Sequence, residues 1–473
     1  MAKDPNVDYQ ALFEQIKTAP CKVSQVEKAN DVKGEPLRTK PHLIDRELER
    51  VYAASTLEEI HAALEEAGRN LQQLGVFKRM DMLLNELPED EPDACSLVLD
   101  LEEKNWYKVH AATYVQGNEN TFEAGAGLHN ITGHAEHLVA SVEYGTQSSS
   151  QASLSYEQPR VLGFPAVLDA RLHRLVNSHQ RASSFTETLR GGALGVKSLS
   201  GRHSLQYEMG WRRLEDVAGR VASRAVLAQA GDYLKAAARY TFMVDNRDQP
   251  GAPTQGWAVR ACTEVAGLAP GAGSLRFAKQ QIDAQYLIRL ASFLNLSFTA
   301  SAGAMLPWDL ERLPRVSPVQ PTCIADRFFL GGPSSLRGFR TKGVGPTDTR
   351  RPQAGEPADS GPAKRDALGG DLYASVMAAA NFPLPHPAFK ALNAHGHIFA
   401  NGGSLVQLSG VNQPIPQRVR EFGNTWRWSV GAGVVLPTWV GRFEANYVAV
   451  LSAQEHDRVK RGLQLGFASS IFL

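Results

Sequence analysis

From Trp106 to Leu473 the apolar residues recur at every second position in one short segment after another. In the stretch Glu136 to Gly145, Leu138, Ala140, Val142 and Tyr144 alternate with His137, Ser141 and Glu143, and between Asp232 and Val244, Leu234, Ala236, Ala238, Tyr240 and Phe242 oppose Lys235, Arg239 and Thr241. Trp426, Trp428, Val430, Ala432 and Val434 oppose Thr425, Arg427, Ser429, Gly431 and Gly433, and Phe443, Ala445 and Tyr447 oppose Arg442, Glu444 and Asn446. Successive side chains of a strand point to opposite faces, so each segment is a strand with one oily and one polar face. A soluble sandwich has such strands too. Many segments of about 9 to 11 residues, with small and charged residues on one face and aromatics near the strand ends, point instead to a transmembrane barrel with a wet lumen.

About sixteen strands can be placed, near Tyr107, Phe122, Leu138, Leu154, Ala166, Leu189, Leu205, Leu234, Val259, Ile282, Leu296, Tyr373, His397, Trp428, Phe443 and Leu465. An even number returns the last strand antiparallel beside the first, which lets every backbone donor within lipid find a partner. Leu214 to Ala230 breaks the alternation and predicts a short surface helix. The chain is 43% hydrophobic with a formal charge of +1, a balance that argues against a nucleic-acid binder. No run of about 18 apolar residues offers a membrane-spanning helix. The N-terminus lacks an apolar signal-peptide core, so secretory export is not expected. Cys21, Cys95, Cys262 and Cys323 have no CxxC spacing, which predicts reduced thiols and neither a zinc site nor a disulfide framework.

The first hundred residues follow other rules. Residues 1–20 form an extension and 21–104 a small α+β domain. A strand is expected near Lys22 to Val32, then a helix capped by Thr39 with Pro41 in its first turn. Ser55 with Glu58 predicts a capping box for a second helix, whose apolar face is Leu57, Ile60, Leu64, Ala67, Leu71 and Leu74, with Gly75 as the left-handed residue at its end. Val76 to Leu84 and Ser96 to Leu101 read as two further strands. The order β-α-α-β-β, with the Leu74-Gly75-Val76-Phe77 turn, fits a generic α+β domain; it also resembles a POTRA domain, the module that precedes many outer-membrane assembly barrels.

The barrel, residues 105–473, is interrupted by a long segment, 305–370. Pro307 to Gly370 holds nine of the 26 prolines and neither periodicity, whereas ordinary loops rarely exceed about 12 to 15 residues. Thr347 to Lys364 is rich in Pro, Gly and charge and is expected to be mobile. Within Arg327 to Pro346, RFFLGGPSSLRGFRTKGVGP, the stretch Phe328 to Phe339 sets one arginine among glycines and aromatics, a composition suited to a loop tucked into a cavity.

RFFLGGPSSLRGF closely resembles the central barrel subunit family of the mitochondrial sorting and assembly machinery. Leu336-Arg337-Gly338-Phe339 matches the superfamily's (V/I/L)RG(F/Y) motif, and Asp245-x-Arg247-Asp248, Pro253-Thr254-x-Gly256 and Phe399-x-Asn401-x-Gly403 match further landmarks in order. The resemblance covers nearly the whole chain. It implies an all-β transmembrane barrel of about 16 antiparallel strands with an N-terminal POTRA-like domain facing the intermembrane space, and a loop folded into the lumen. In that family the loop arginine docks on wall carboxylates; at the FxDxG position this chain has Asn401, which implies a neutral hydrogen bond there. Gly403 belongs to the same docking patch, and Asp371 is an alternative partner for Arg337.

Lys460-x-Gly462-x-x-Leu465-x-Phe467 is similar to the β-signal by which mitochondrial barrel precursors are recognised. The implied function is insertion of β-barrel precursor proteins through a lateral gate. Tyr107, Val109 and Val115 of the first strand part from Gly462, Leu465 and Phe467 of the last, and the freed edge pairs with the arriving signal. Precursors, accessory subunits of the machinery and the lipid bilayer are the implied partners, with no nucleic acid, cofactor, metal, nucleotide or enzymatic activity. A passive pore, or a chloroplast-envelope or bacterial assembly barrel, is the alternative.

Catalytic readings are poorly supported. His129, His134 and His137 stand at spacings that put neighbours on opposite strand faces. Gly191-Gly192-x-x-Gly195-x-Lys197-Ser198 lacks phosphate-loop spacing. Asn130-Ile131-Thr132 is a glycosylation sequon in a chain without a secretory signal.

Overall fold

The computed structural model describes residue 17 and residues 19–468 except 30–35, 87–93, 117–118, 147, 216–220, 250–252, 270–274, 309–321, 352–363, 388, 390–391, 410–414 and 439–440. The chain divides into two compact units: Met1–His110 with Gly125–Ala140 and Ser155–Asp169, and Ala111–Ala124 with Ser141–Leu154 and Ala170–Leu473.

In the first unit β1 (Lys22–Ala29), α1 (Pro41–Glu47), α2 (Glu49–Ala53), α3 (Leu57–Gln73), β2 (Phe77–Glu86) and β3 (Ala94–Glu103) follow one another. The sheet order is β1-β3-β2, with β1 parallel and β2 antiparallel to β3. The β-α-α-β-β order thus holds, with the first helix broken at Leu48. Ile60, Ala67, Leu71 and Leu74, at helical spacing on α3, are buried against Leu97, Leu99 and Leu101 of β3. Gly75 follows at φ +75°.

Two expected caps are displaced. Thr56, not Ser55, is the N-cap of α3; its side chain accepts from the Glu59 amide, and Glu59 rather than Glu58 reaches back to the Ser55 amide at 2.9 Å. Thr39 caps nothing, since Lys40 holds the cap position of α1 without a side-chain bond. Its hydroxyl instead donates to Glu103 (2.5 Å), where Asn130 Nδ2 joins at 3.3 Å to Glu103 and 2.8 Å to Thr39. The sequon asparagine is therefore a buried structural residue. Burial alone would raise the Glu103 carboxyl, but donors from Thr39 and Arg38 outweigh it and hold it below its ordinary range.

The barrel strands are β4 (Tyr107–Gln116), β5 (Glu119–His129), β6 (His137–Gly145), β7 (Ser150–Pro159), β8 (Ala166–Ser178), β9 (Thr186–Ser198), β10 (His203–Glu215), β11 (Gly231–Asp245), β12 (Gly256–Ala266), β13 (Phe277–Ala291), β14 (Leu294–Pro307), β17 (Leu372–Pro383), β18 (His395–Val406), β19 (Arg427–Thr438), β20 (Gly441–Ser452) and β21 (Gly462–Ala468). They make one sixteen-stranded sheet in chain order, and the only short ladder apart from it in this region pairs β15 (Thr347–Thr349) with β16 (Arg365–Ala367), among the described residues. All sixteen expected strands are present. No helix among the described residues is long and apolar enough to cross a membrane.

Burial in the barrel is inverted relative to a soluble protein. On β10, Leu205, Tyr207, Met209 and Trp211 are exposed while Arg212 is buried; on β20, Tyr447 is 70% exposed while Glu444 and Asn446 are buried. Only lipid makes an oily exterior and a charged interior favourable together. The stretch expected to form a short surface helix does carry a one-turn helix, Arg224–Leu227, but its Val226 is buried with Ala222, Leu214 and Ile324. It faces the long loop, and the loop removes it from solvent.

Candidate functional site

The long loop enters the lumen and is held at two places. Its tip is Leu336-Arg337-Gly338-Phe339, with Leu336 and Phe339 fully buried. Arg337 Nε and Nη2 donate to one oxygen of Glu444 on β20, at 3.1 and 2.6 Å. The guanidinium also lies 4.7 Å from the Phe399 ring centre and contacts the sulfur of Met377. The Arg337 carbonyl accepts from Ser429 Oγ at 2.5 Å and from Asn401 Nδ2 at 3.5 Å. Gly338, at φ +90°, passes so close to the wall that a Cβ would lie 2.8 Å from Val450. Its amide donates to Gln464 Oε1, and Gln464 Nε2 donates to the Phe339 carbonyl, each at 3.1 Å. The tip thus touches β17, β18, β19, β20 and β21.

These contacts change two expectations. Asn401 does make a neutral hydrogen bond, but to the Arg337 carbonyl, and the guanidinium has a carboxylate after all, on Glu444. Asp371 does not serve Arg337: it accepts from the amides of Leu408 and Ser409 and from the hydroxyls of Ser409 and Thr322, with Arg327 4.0 Å away. It holds the loop through Thr322. A Cβ on Gly403 would lie 3.0 Å from Leu330 of the loop, so the wall at this position has room only for hydrogen.

The root of the loop, Asp326-Arg327, meets the other wall. Asp326 accepts from Arg212 of β10 at 2.5 Å and from Lys235 of β11 at 3.2 Å, and its carbonyl accepts from Lys279 of β13 at 2.7 Å. Arg212 continues to Glu187 on β9 (2.8 Å), and Lys235 to Glu264 on β12 (2.7 Å). Burial would raise the Asp326 carboxyl, but Arg212 and Lys235 outweigh it and hold it well below the usual range. Arg327 donates to the hydroxyl and carbonyl of Thr322 and to the Leu368 carbonyl. Between root and tip, Phe328, Leu330, Leu336, Phe339 and Val344 form an apolar cluster with Met305, Tyr373 and Leu405 of the wall.

The stretch expected to be mobile is ordered at both ends. Asp348 accepts from the Ala225 amide, Arg350 donates to Asp366 at 2.7 Å, and Arg351 donates to the Ala222 carbonyl. Its middle, 352–363, lies outside the described residues. Beyond the tip, a cavity of about 830 Å³ opens toward the turns that join β13 to β14, β17 to β18 and β19 to β20, with Arg337, Asn381, His397 and Arg442 among its lining residues.

Of the expected gate residues, Tyr107 and Val109 are exposed on β4, and Leu465 is 69% exposed on β21. Val115 lies on β4, and its side chain falls outside the described set. Gly462 pairs with Val448 and Phe467 with Phe443 along β20, the Phe467 side chain likewise lying outside that set. His129 and His137 bond to each other through their Nδ1 atoms at 2.7 Å, while His134 turns to Lys40 and Thr132. Gly191, Gly192 and Gly195 sit in the middle of β9, paired with β10. Sequence reasoning missed Glu444, Ser429, Gln464 and Asp326. The first three stand at inward strand positions, which was their visible signal.

A family model described as the Omp85 superfamily domain matches residues 130–471. The sorting and assembly machinery component 50 homolog of Xenopus tropicalis is 30% identical over 437 residues, 91% of this chain and 87% of that protein. The homolog of Homo sapiens is 29% identical over 437 residues with the same coverage. Among solved structures, BamA from Haemophilus ducreyi lacking POTRA domains 1-3 superposes with a TM-score of 0.71 at 16% identity, over 95% of this chain and 84% of that one, a likeness of fold. A sixteen-stranded sheet that turns its charges inward, a loop whose Arg-Gly-Phe tip grips its last strands, and these matches together show that the chain belongs to the Omp85 superfamily, in the family of the sorting and assembly machinery component 50 proteins.

Proposed function

We propose that this chain folds and inserts β-barrel precursor proteins into the mitochondrial outer membrane, with its N-terminal domain toward the intermembrane space and accessory subunits of the assembly machinery as partners. Precursor strands enter through a lateral gate between β4 and β21. The single observation that carries the reading is the grip of the loop tip on β21 through Gln464, and on the residues just before it through the Lys460 amide, which donates to the Gly338 carbonyl at 2.8 Å. A loop whose role was only to block a pore would need no bond to the strand at the end of the sheet. Along β21 (Gly462–Ala468) the ladder bonds to β20 are joined by side-chain bonds from the loop, which supply part of the strand's hold. Parting it exposes an edge that an arriving strand satisfies by pairing, so no nucleotide is needed.

The test is disulfide capture in the full chain in lipid. A cysteine in Ala111 to Thr113 of β4 is expected to crosslink to a cysteine near the β-signal of an arriving precursor, in competition with an internal crosslink to Leu463. A control pair, one cysteine in β11 and one in β12, is expected to capture none. Equal capture at both places, or none at β4 while insertion proceeds, would reject the gate.

A further inference from the structure

The inward face of β21 reads Gly462, Gln464, Gly466, because Leu463 and Leu465 point outward at 64% and 69% exposure while Gln464 is 2% exposed. Two of the three, Gln464 and Gly466, meet the loop. Gly462 sits at φ +84°, a conformation that L side chains rarely adopt. At Gly466 a Cβ would lie 2.8 Å from Cβ of Pro333, so the loop crosses the strand where only hydrogen fits. Glycine there admits the loop. Between them the Gln464 carboxamide accepts from the Gly338 amide and donates to the Phe339 carbonyl, both at 3.1 Å.

A planar carboxamide offers one acceptor and one donor side by side, as a neighbouring strand's backbone does. Among side chains only Asn and Gln do so: a carboxylate has no donor, and an aliphatic chain has neither. The Gly338 amide and the Phe339 carbonyl are buried at the tip, and leaving either unsatisfied is costly. The geometry points to the Gly338–Phe339 backbone as a binding site for a side-chain carboxamide, filled at rest by Gln464 and, during insertion, by an inward-facing Gln or Asn of the arriving strand. The loop then reads the inward face of that strand as a carboxamide followed, two residues on, by a small residue. The outward leucines face away from the tip and carry none of this selectivity. The proposal rests on the gate reading above, since only a displaced β21 vacates the clip.

The test uses the full chain in lipid vesicles and a fluorescent peptide with this chain's own residues 458–468. Gln, Asn, Ala, Glu or Leu is placed at the position of Gln464, and Gly or Leu at that of Gly466. Loss of two hydrogen bonds in the Ala and Leu peptides, and in the Glu peptide loss of the donor with a carboxylate oxygen set against the Phe339 carbonyl, is expected to weaken binding by about tenfold relative to Gln, with Asn between. Leucine at the second glycine is expected to weaken binding at least as much. The protein variant Gln464→Ala, whose own strand competes less well, is expected to bind the Gln peptide several-fold tighter, a gain that a purely structural role for Gln464 does not produce. Gly338→Ala is expected to erase the preference for Gln over Ala. Equal binding of the Gln, Ala and Glu peptides would overturn the carboxamide site and leave the gate standing. Failure of every peptide to bind, to wild type and to Gln464→Ala alike, would overturn the gate reading and this proposal with it.

Discussion

The two ends of the lumen loop bury charge in different ways. At the root, the cations Arg212, Lys235, Arg239 and Lys279 face the anions Glu187, Glu208, Glu264 and Asp326, and the loop's own Asp326 makes the count even. At the tip, Arg337 is the extra charge: Glu444 already has Arg442 at 2.6 Å and accepts from Asn446 at 2.9 Å, and the remaining tip bonds come from neutral groups. A buried ion costs several kcal/mol unless paired, so balance rather than the number of bonds decides how firmly each end is held. Removing Asp326 leaves a surplus cation on β10 to β13. Removing Arg337 leaves a matched pair. The root is therefore built to stay, and the tip can be withdrawn without stranding a charge on the wall.

The largest effects should come from unbalancing either end. Asp326→Ala is expected to destabilise the barrel by about 3–5 kcal/mol, read as a lower temperature of heat conversion in detergent. Glu444→Ala, which leaves Arg337 and Arg442 facing each other, belongs in the same range. An effect of either no larger than that of a surface substitution would remove the comparison. Arg337→Ala should cost less, about 2 kcal/mol for its charge-assisted hydrogen bonds, yet impair precursor insertion more than Asp326→Asn does at matched stability. If stability and insertion fall in the same proportion for both ends, the tip has no separate role.

Smaller effects sharpen the contrast. Arg350→Ala breaks a bond to Asp366, which keeps the Ser184 hydroxyl and the Ser223 amide as donors. About 1 kcal/mol is expected from heat conversion, against zero for a mobile segment. The smallest effect lies outside the loop, at Glu103, a carboxylate held by Arg38, Thr39 and Asn130. Its folded pKa is depressed, so its stabilising contribution is complete above the ordinary glutamate value of about 4.3 and is lost as pH falls through the lower folded value. Hydrogen-exchange protection factors at β3, taken relative to the intrinsic rate at each pH, should therefore fall on acidification in the wild type and less so in Glu103→Gln. An equal response of the two proteins would remove Glu103 as the cause.

Period two alone determined the sixteen strands, because a strand that meets lipid on one face and a wet lumen on the other must alternate at every position, a constraint that acts within each segment. The loop motif was legible for a similar local reason: an arginine among glycines and aromatics suits no exposed loop. The partners were decided only by the tertiary structure. Whether Arg337 meets Asn401, Asp371 or Glu444 depends on which inward positions of non-consecutive strands come level, and each strand's pattern is silent about its offset from the others. Asp371 follows directly on the loop in the chain, yet two backbone amides and two hydroxyls already satisfy it. The caps missed by one residue at Thr56, and the turn buried at Val226, failed for related reasons. A neighbouring residue competed for the same amide in the first case, and in the second a segment about a hundred residues away in the chain covered the helix.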